Sequence, residues 1–524
     1  MSESVLSTTL PTATNAKGAA LKSRKSFCIY ITLIMHTTTA SDTFFLPFRL
    51  TMSIIMRTFA PIYIKGMVKR SEILLEKIRM GNTMTMHEKL RLIVDLSVPS
   101  ILAQITTVLM FFIDAAMVGH LGAAASASIG LIESTTWLMG SVMGAVSTGF
   151  SVQVAHFIGA NDFVRARQVF RHALVCGAVV SMMILLVGVT IHGALPYWLG
   201  GGEDIAGDSS AYFLIFSLAM PFILLFHLNS AMLKSTGNMH IPSLLSITMC
   251  ILDVVFNYFF IYILELGVRG AAMGTFCAFA IISLTMMWVA TRRNRILALR
   301  QDTAPFTWVW LYVRNALRVG LPIAIQSALM SGAQVVSTLI VAPLGNVAIA
   351  ANSFAITAES LCYMPGYGIG DAASTLVGQT YGARRADLCR NFAYMTVALG
   401  MGVMAVMGVV MYVFAPEMIG MLSPVEEIRR LGTEVLRIEA FAEPFFAASI
   451  VTYSVCVGAG DTIKPALLNL VSMWCVRLTL AALLAPTYGL RGVWVAMAIE
   501  LTFRGTIFLF RLFKGRWMRG LATV

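Results

Sequence analysis

Long apolar stretches follow one another along most of the chain and are separated by short polar segments. A helix of about 20 apolar residues crosses a bilayer core of about 30 Å. Gly, Ser and Thr recur inside these stretches, as they do where membrane helices pack closely. No series of short alternating strands is found, so we predict twelve membrane-spanning helices, approximately at residues 94–118, 124–156, 168–191, 209–233, 241–263, 270–291, 315–341, 347–378, 389–414, 433–457, 464–486 and 491–513.

Residues 1–88 do not follow this pattern. They begin with a polar tail, continue with basic residues before a short apolar run, and include a patchy stretch at 44–64. A signal peptide would fit the first part. Met80, Met84 and Met86 precede the first clear span, so a start placed too far upstream would fit as well. We expect residues 1–88 to be a disordered or mis-assigned extension that transport does not need.

Composition agrees with a membrane protein. Hydrophobic residues make up 58% of the chain and charged residues 12%, against roughly a quarter charged in soluble domains. The net charge of +12 could suggest a nucleic-acid partner. The basic residues lie between apolar runs, however, where they orient membrane helices, and we expect no nucleic-acid partner. The eight cysteines form no CxxC pair, so we expect neither a disulfide framework nor a metal site.

The basic residues also predict the topology. Most of those in the predicted loops fall on one side of the membrane, among them Arg165, Lys234 and Arg384. The positive-inside rule makes that side cytoplasmic. We therefore predict an inner-membrane, multi-pass protein with both ends of the helical body in the cytoplasm. The opposite side carries only Arg269, Arg429, Arg430, Arg437 and Arg491.

An internal repeat is the strongest signal in the sequence. One constant shift, which places Pro99 over Pro322, superimposes Gly and Pro positions of the two halves, and a slippage by one position then places Gly267 over Gly489. The predicted domains are a six-helix lobe at 89–300, a second at 301–516 and a tail at 517–524. Six helices are an even number, so both lobes share one orientation, with a cavity between them. The fold class is all-α integral membrane: twelve transmembrane helices in two parallel six-helix repeats forming two lobes. The other aligned pairs include Gly122 with Gly345, Gly159 with Gly382, Pro221 with Pro444, and Gly237 with Gly460.

Acidic residues inside the spans need a reason, since a charge at the bilayer centre costs about 2.5–3.5 kcal/mol on insertion scales. The first span contains Asp114, and the fifth contains Asp253 and Asn257 on one helix face. The sixth contains Thr275. Neighbouring carboxylates do not both ionise easily, so such a group can hold a proton, and its oxygens could instead bind Na⁺. An interhelical hydrogen bond without transport function is the alternative for Asp253 and Asn257.

Five stretches together resemble the multidrug and toxic compound extrusion (MATE) family, over residues from about 90 to 516. The family is one of two-lobed exporters. The resemblance implies antiport of H⁺ or Na⁺ against small organic, often cationic, compounds, with no cofactor beyond the coupling ion. We expect a monomer in the lipid bilayer and no enzyme activity. The stretches are 112–122 (FIDAAMVGHLG), 320–322 (GLP), 341–345 (VAPLG), 377–383 (VGQTYGA) and 458–462 (GAGDT).

The resemblance implies a cation site in the N-terminal lobe formed by Asp114, Asp253, Asn257 and Thr275. The order of Asp and Asn on the fifth span is reversed relative to the family pattern, which leaves the choice of ion open. A Glu that some relatives carry on the seventh span is replaced by Met330. Because the second half has no counterpart of this residue set, we expect coupling to be confined to the N-terminal lobe.

The remaining acids of the spans could line the substrate cavity or bond between helices. The candidates for the cavity are Glu133, Glu359, Asp371 and Glu443. Glu500 and Arg504 are spaced i,i+4, which predicts an ion pair within one helix. Arg477 has no partner near it in sequence.

Other functions and folds fit the sequence less well than a MATE-type exporter. A lipid-linked oligosaccharide flippase of the wider superfamily would need a cationic cavity, whereas the intramembrane residues here are mostly acidic. The loop at 159–165 does not fit the basic motif of the major-facilitator fold. A polytopic membrane enzyme would need clustered catalytic residues, and the eight His are scattered.

Overall fold

The structure is a computed structural model that describes residues 61–301 and 306–518. Within these residues eleven helices are long and apolar enough to cross a membrane, or twelve if one bent pair counts as a single span. The predicted twelve spans are thereby confirmed. They are α1 (Met86–Gly119), α2 (Ala123–Gly159), α3 (Phe163–Ile191), α4 (Glu203–Ser235), α5 (His240–Ile263), α6 (Gly267–Arg293), α7 (Trp310–Leu344), α8 (Asn346–Gly382), α9 (Ala386–Leu422), α10 (Glu426–Glu439 with Glu443–Gly458), α11 (Ile463–Tyr488) and α12 (Leu490–Phe513).

Local sequence signals determine where several helices begin and bend. Thr85 and Glu88 form a reciprocal capping box at the start of α1. Asp162 caps α3 by accepting a hydrogen bond from the backbone N–H of Arg165 at 3.0 Å. The two parts of α10 meet at an angle of 60°, and Pro444 follows the break in the first turn of the second part.

The backbone repeats the pattern that the sequence predicts. Asn161 and Arg384, which the shift of the repeat superimposes, both adopt a left-handed conformation, with φ of 59° and 56°. Gly237 and Gly460 form a second such pair, with φ of 85° and 81°. Left-handed backbone is readily adopted only by Gly and occasionally by residues such as Asn. Shared turns of this rare kind at one constant separation support two copies of one six-helix unit.

The helices pack in the same way in both halves. α1 packs against α5 of its own half and against α8 of the other half. α7 correspondingly packs against α11 and against α2. The two lobes, α1–α6 and α7–α12, are therefore joined by two equivalent contacts.

The lobes touch closely at one end, which we call the basal end: the end where α1 and α7 begin and where α2 and α8 finish. A Cβ added at Gly382 would lie 1.9 Å from the carbonyl oxygen of His156, and one at Gly159 would lie 2.0 Å from that of Gln379. Nearer the start of α2, a Cβ at Gly130 or Gly140 meets no atom within 4 Å. The lobes are closed at the basal end, and α2 faces open space at the other.

A further helix, Pro61–Arg79, precedes the spans. Its part from Met67 onward belongs to the same compact unit as the spans, and Leu75 and Ile78 are buried against them. The expectation of an unstructured extension over residues 1–88 is therefore corrected for this segment, because its apolar face packs on the lobes. Residues 1–60 and the tail residues 519–524 lie outside the described part of the chain.

Candidate functional site

The predicted cation-site residues of the N-terminal lobe meet in the structure. The amide nitrogen of Asn257 on α5 donates to Asp114 Oδ1 on α1 at 2.8 Å and to Asp253 Oδ2 at 3.1 Å. Asp253 and Asn257 are buried, whereas Asp114 is half-buried. Thr275 on α6 interacts with the Asp253 carboxyl. All four residues of the predicted set thus contribute to one cluster, which we call the α1–α5 site.

Close packing of α6 against α5 holds Asn257 in place. A Cβ added at Gly274 would lie 1.9 Å from Asn257 Oδ1 and 2.8 Å from its backbone nitrogen. A π-helical turn, Phe259–Ile263, begins two residues after Asn257, and such turns are frequent at functional sites. The sequence did not indicate the role of Gly274, because it depends on how two helices approach each other.

The α1–α5 site has an excess of oxygen atoms. One amide group supplies both N–H bonds to the two carboxyls, while Asp253 Oδ1 and Asn257 Oδ1 are buried with no donor among the described residues. Buried polar atoms normally have partners. Two carboxyls this close cannot both carry a bare charge, so the cluster suits a bound proton or a small cation that prefers oxygen ligands.

Glu133 lies on the open part of α2, near the α1–α5 site. Its carboxylate is exposed and accepts a hydrogen bond from Trp137 Nε1 at 3.4 Å. The Trp137 ring packs at 5.1 Å from that of Phe111 on α1, and both rings are about half exposed. Tyr212 of α4 is close enough to interact electrostatically with Glu133, Asp114 and Asp253.

Asp371 on α8 lies at the contact between the lobes, and its carboxylate is paired. It accepts hydrogen bonds from Lys234 Nζ of α4 and from Ser100 Oγ of α1, each at 2.7 Å. Gln104 of α1 donates to it at 3.3 Å. Asp371 was a candidate for the substrate cavity; here its charge is balanced by Lys234, and its contacts join α8 to two helices of the other lobe.

The C-terminal lobe contains a second acidic cluster, made of Glu359 on α8 and Glu439 and Glu443 on either side of the α10 break. All three are buried. The sequence made Glu359 and Glu443 candidates for the substrate cavity, whereas it did not single out Glu439. The Glu439 carboxyl lies against that of Glu359, and no N–H or hydroxyl donor of the described residues reaches Glu439 or Glu443.

Basic residues lie close to this second cluster. Arg504 pairs with Glu500 at 3.2 Å, which confirms the predicted i,i+4 ion pair within α12. Ser472 Oγ also donates to Glu500, at 2.5 Å. Arg477 reaches Met497 on α12 and interacts electrostatically with Glu359 and Glu439. These partners of Arg477 are distant from it in sequence.

Comparison with known proteins agrees with the fold and the repeat. The family model described as MatE matches residues 99–259 and again residues 322–483, so the two matches start at Pro99 and Pro322, which the repeat superimposes. The probable multidrug resistance protein NorM of Thermotoga maritima is 25% identical over an alignment covering 81% of this chain and 92% of that protein. The protein of the same name from Neisseria meningitidis serogroup B is 23% identical, covering 79% and 92%.

Solved structures show the same fold. One described as the outward-facing conformation of a multidrug resistance MATE family transporter has a TM-score of 0.77 and 21% identity, covering 83% of this chain and 97% of that one. A mutant of the Vibrio cholerae MATE transporter VcmN has a TM-score of 0.76 and 17% identity, covering 86% and 99%. Since the family model matches each half of the chain and the twelve spans form two repeated lobes, this multi-pass membrane protein belongs to the MatE family of multidrug and toxic compound extrusion transporters.

Proposed function

We propose that the chain exports small organic, often cationic, compounds in exchange for H⁺ or Na⁺. The observation that carries the proposal is the α1–α5 site, where two carboxyls share one amide and buried oxygens lack donors among the described residues. Relatives named as multidrug resistance proteins support efflux as its use. No cofactor is needed beyond the coupling ion.

α1 connects the ion site with the contact between the lobes. Asp114 is near the end of α1, and Gln104 and Ser100 on the same helix bond to Asp371 of α8. Ten residues, about 15 Å of helix, separate Gln104 from Asp114. Cation binding at Asp114 changes its bond to Asn257 and so biases the position of α1. Exchange follows if the ion and the drug favour different arrangements of this helix.

The exposed group of Glu133, Trp137 and Phe111 supports an organic cation as substrate. A carboxylate attracts the charge, and the faces of Trp and Phe attract cations held against them. The group lies beside the open part of α2 and near Asp114. A flippase for an anionic pyrophosphate lipid is disfavoured, because the same carboxylate would repel its substrate.

The proposed orientation has the basal end in the cytoplasm of a cell with an inner membrane, since the basic loop residues cluster there. The structure is then closed toward the cytoplasm. We propose that one chain suffices for transport, because both lobes belong to it.

Everted membrane vesicles test the proposal. A fluorescent organic cation is added, and either a proton or a Na⁺ gradient is imposed on vesicles with the wild-type chain or with Asp114→Asn. We expect one gradient to drive uptake by the wild type and neither to drive uptake by the variant. Gradient-independent movement of a lipid-linked oligosaccharide, without cation uptake, would favour the flippase and overturn the proposal.

A further inference from the structure

Residues 70–85, the end of the first helix and the turn after it, touch both lobes at the basal end. We call them the strap. On the N-terminal lobe, Arg70 forms a two-point ion pair with Asp95 of α1, at 2.9 and 3.2 Å. Lys77 pairs with Glu88 of α1 at 2.5 Å. Leu75 packs against the turn between α4 and α5, where a Cβ at Gly237 would lie 2.1 Å from its side chain.

The strap is bound to the C-terminal lobe through its backbone. Arg385, in the turn between α8 and α9, donates from one guanidinium nitrogen to the carbonyl oxygen of Asn82 at 2.8 Å, with those of Lys77 and Ile78 at 3.3 and 3.4 Å. The last carbonyls of a helix lack partners within it and carry partial negative charge. A cation from the other lobe thus caps the helix of the strap.

The strap lies between two equivalent turns of the repeat. Asn161 of the turn between α2 and α3 donates to the carbonyl oxygen of Arg79 at 3.1 Å. The repeat places Asn161 over Arg384, the neighbour of Arg385. The strap therefore contacts corresponding turns of both lobes, at the place where the two halves face each other.

Apolar burial reinforces the same bridge. Leu74, Leu75 and Ile78 are buried, with 6, 2 and 0% exposure. They belong to one cluster with residues of both lobes, namely Leu92, Ile93 and Leu96 of α1, Ala372 and Leu376 of α8, and Leu388 and Phe392 of α9.

We propose that the strap is an autoinhibitory clamp that holds the two lobes together at the basal end. The lobes must separate there for the space between them to open on that side, and each separation must break the strap's contacts with one lobe. Release of the strap therefore limits opening. The inference rests on the proposed function only for the requirement that the lobes part during transport.

The test measures lobe separation directly. Spin labels are placed at Val164→Cys on α3 and Asp387→Cys on α9, two exposed, repeat-equivalent positions at the basal end, in an otherwise cysteine-free chain in lipid nanodiscs. Pulsed electron spin resonance gives the fraction of long distances without drug or ion gradient. Two test variants weaken the clamp: Arg385→Ala removes the hydrogen bonds to the strap, and Ile78→Ala removes a buried apolar side chain from the strap itself. Arg390→Ala, at an exposed position, is the control.

We expect the long-distance fraction to rise several-fold in Arg385→Ala and in Ile78→Ala, and to stay at the wild-type value in Arg390→Ala. An unchanged fraction in both test variants overturns the clamp. So does an equal rise in the control. The proposed export function is judged separately by vesicle uptake, so its failure and that of the clamp are distinguishable.

Discussion

Among single residues, Asn257 is central to the α1–α5 site, because its one amide nitrogen binds both carboxyls. The sequence could predict Asp114, Asp253 and Asn257, since polar residues in apolar helices are conspicuous and an i,i+4 spacing places two of them on one face. It could not predict that Gly274 leaves room for Asn257. That depends on the distance between α5 and α6, which packing alone determines.

Neutralising either acid should stop ion-coupled export. Asp114→Asn and Asp253→Asn keep the shape of the side chain but remove a group that holds the proton or cation, so we expect gradient-driven export to fall to background at near-normal protein levels. Glu203→Gln at an exposed position is the matched control. Drug resistance measured at equal expression checks the prediction. Wild-type resistance in one variant would remove that acid from the coupling mechanism.

Gly274→Ala should damage the same site without changing any polar group. The added methyl would displace Asn257 and its bonds to both acids, so we expect a large loss of export. Gly402→Ala on α9 is the control, because a Cβ there meets no atom within 4 Å and Ala suits a helix better than Gly. Export and thermal stability are measured for both. Equal export by the two variants would show that the position of Asn257 is not critical.

Among the helices, α10 departs most from what its sequence suggests. Glu439 lies inside the span predicted at 433–457, but it follows Arg429, Arg430 and Arg437 and was not among the acids that the sequence singled out. In the structure it is the last residue before the 60° break, where it is buried and meets Glu359 of α8. Helix bending and interhelical packing are not encoded in the periodicity of one segment, so the sequence did not identify the full C-terminal cluster.

The charges of this cluster predict opposite effects of two substitutions. Arg504→Met leaves Glu500 buried with only Ser472 as a partner among the described residues, and breaking a buried pair costs about 3–5 kcal/mol. Glu439→Gln removes an acid that has no donor in the described part of the chain, so we expect little loss of stability or a gain. Melting temperatures of the purified variants, with Arg292→Met at an exposed position as control, check this. A larger loss for Glu439→Gln than for Arg504→Met would contradict it.

At the scale of the whole molecule, the closed basal end depends on small residues where α2 meets α8. The repeat predicted two lobes and a cavity, because its period and the even number of helices are readable from the sequence. It did not show which residues close the cavity. His156, Gln379 and Asp371 act through contacts between lobes, with partners that are far away along the chain.

Gly382→Ala should prevent closure. A methyl group there would collide with the backbone carbonyl of His156, which cannot move as a flexible side chain could. We expect a larger fraction of molecules open at the basal end and a strong loss of export, while drug binding is retained. Lobe separation by spin labelling, together with a drug-binding assay, checks this. An unchanged distance distribution would show that the helices shift to accept the methyl group.

The two equivalent lobe contacts have a consequence for the history of the chain. The pairing of α1 with α8 matches that of α7 with α2, which is the arrangement of an isologous interface in a two-fold symmetric dimer. A separate six-helix subunit of this kind would bury the surface that now joins the lobes by pairing with a second copy of itself. Duplication of its gene and fusion of the two copies would have made that pairing permanent, after which each half could diverge. Asp114, which the repeat places opposite Ser337, is an example of such divergence.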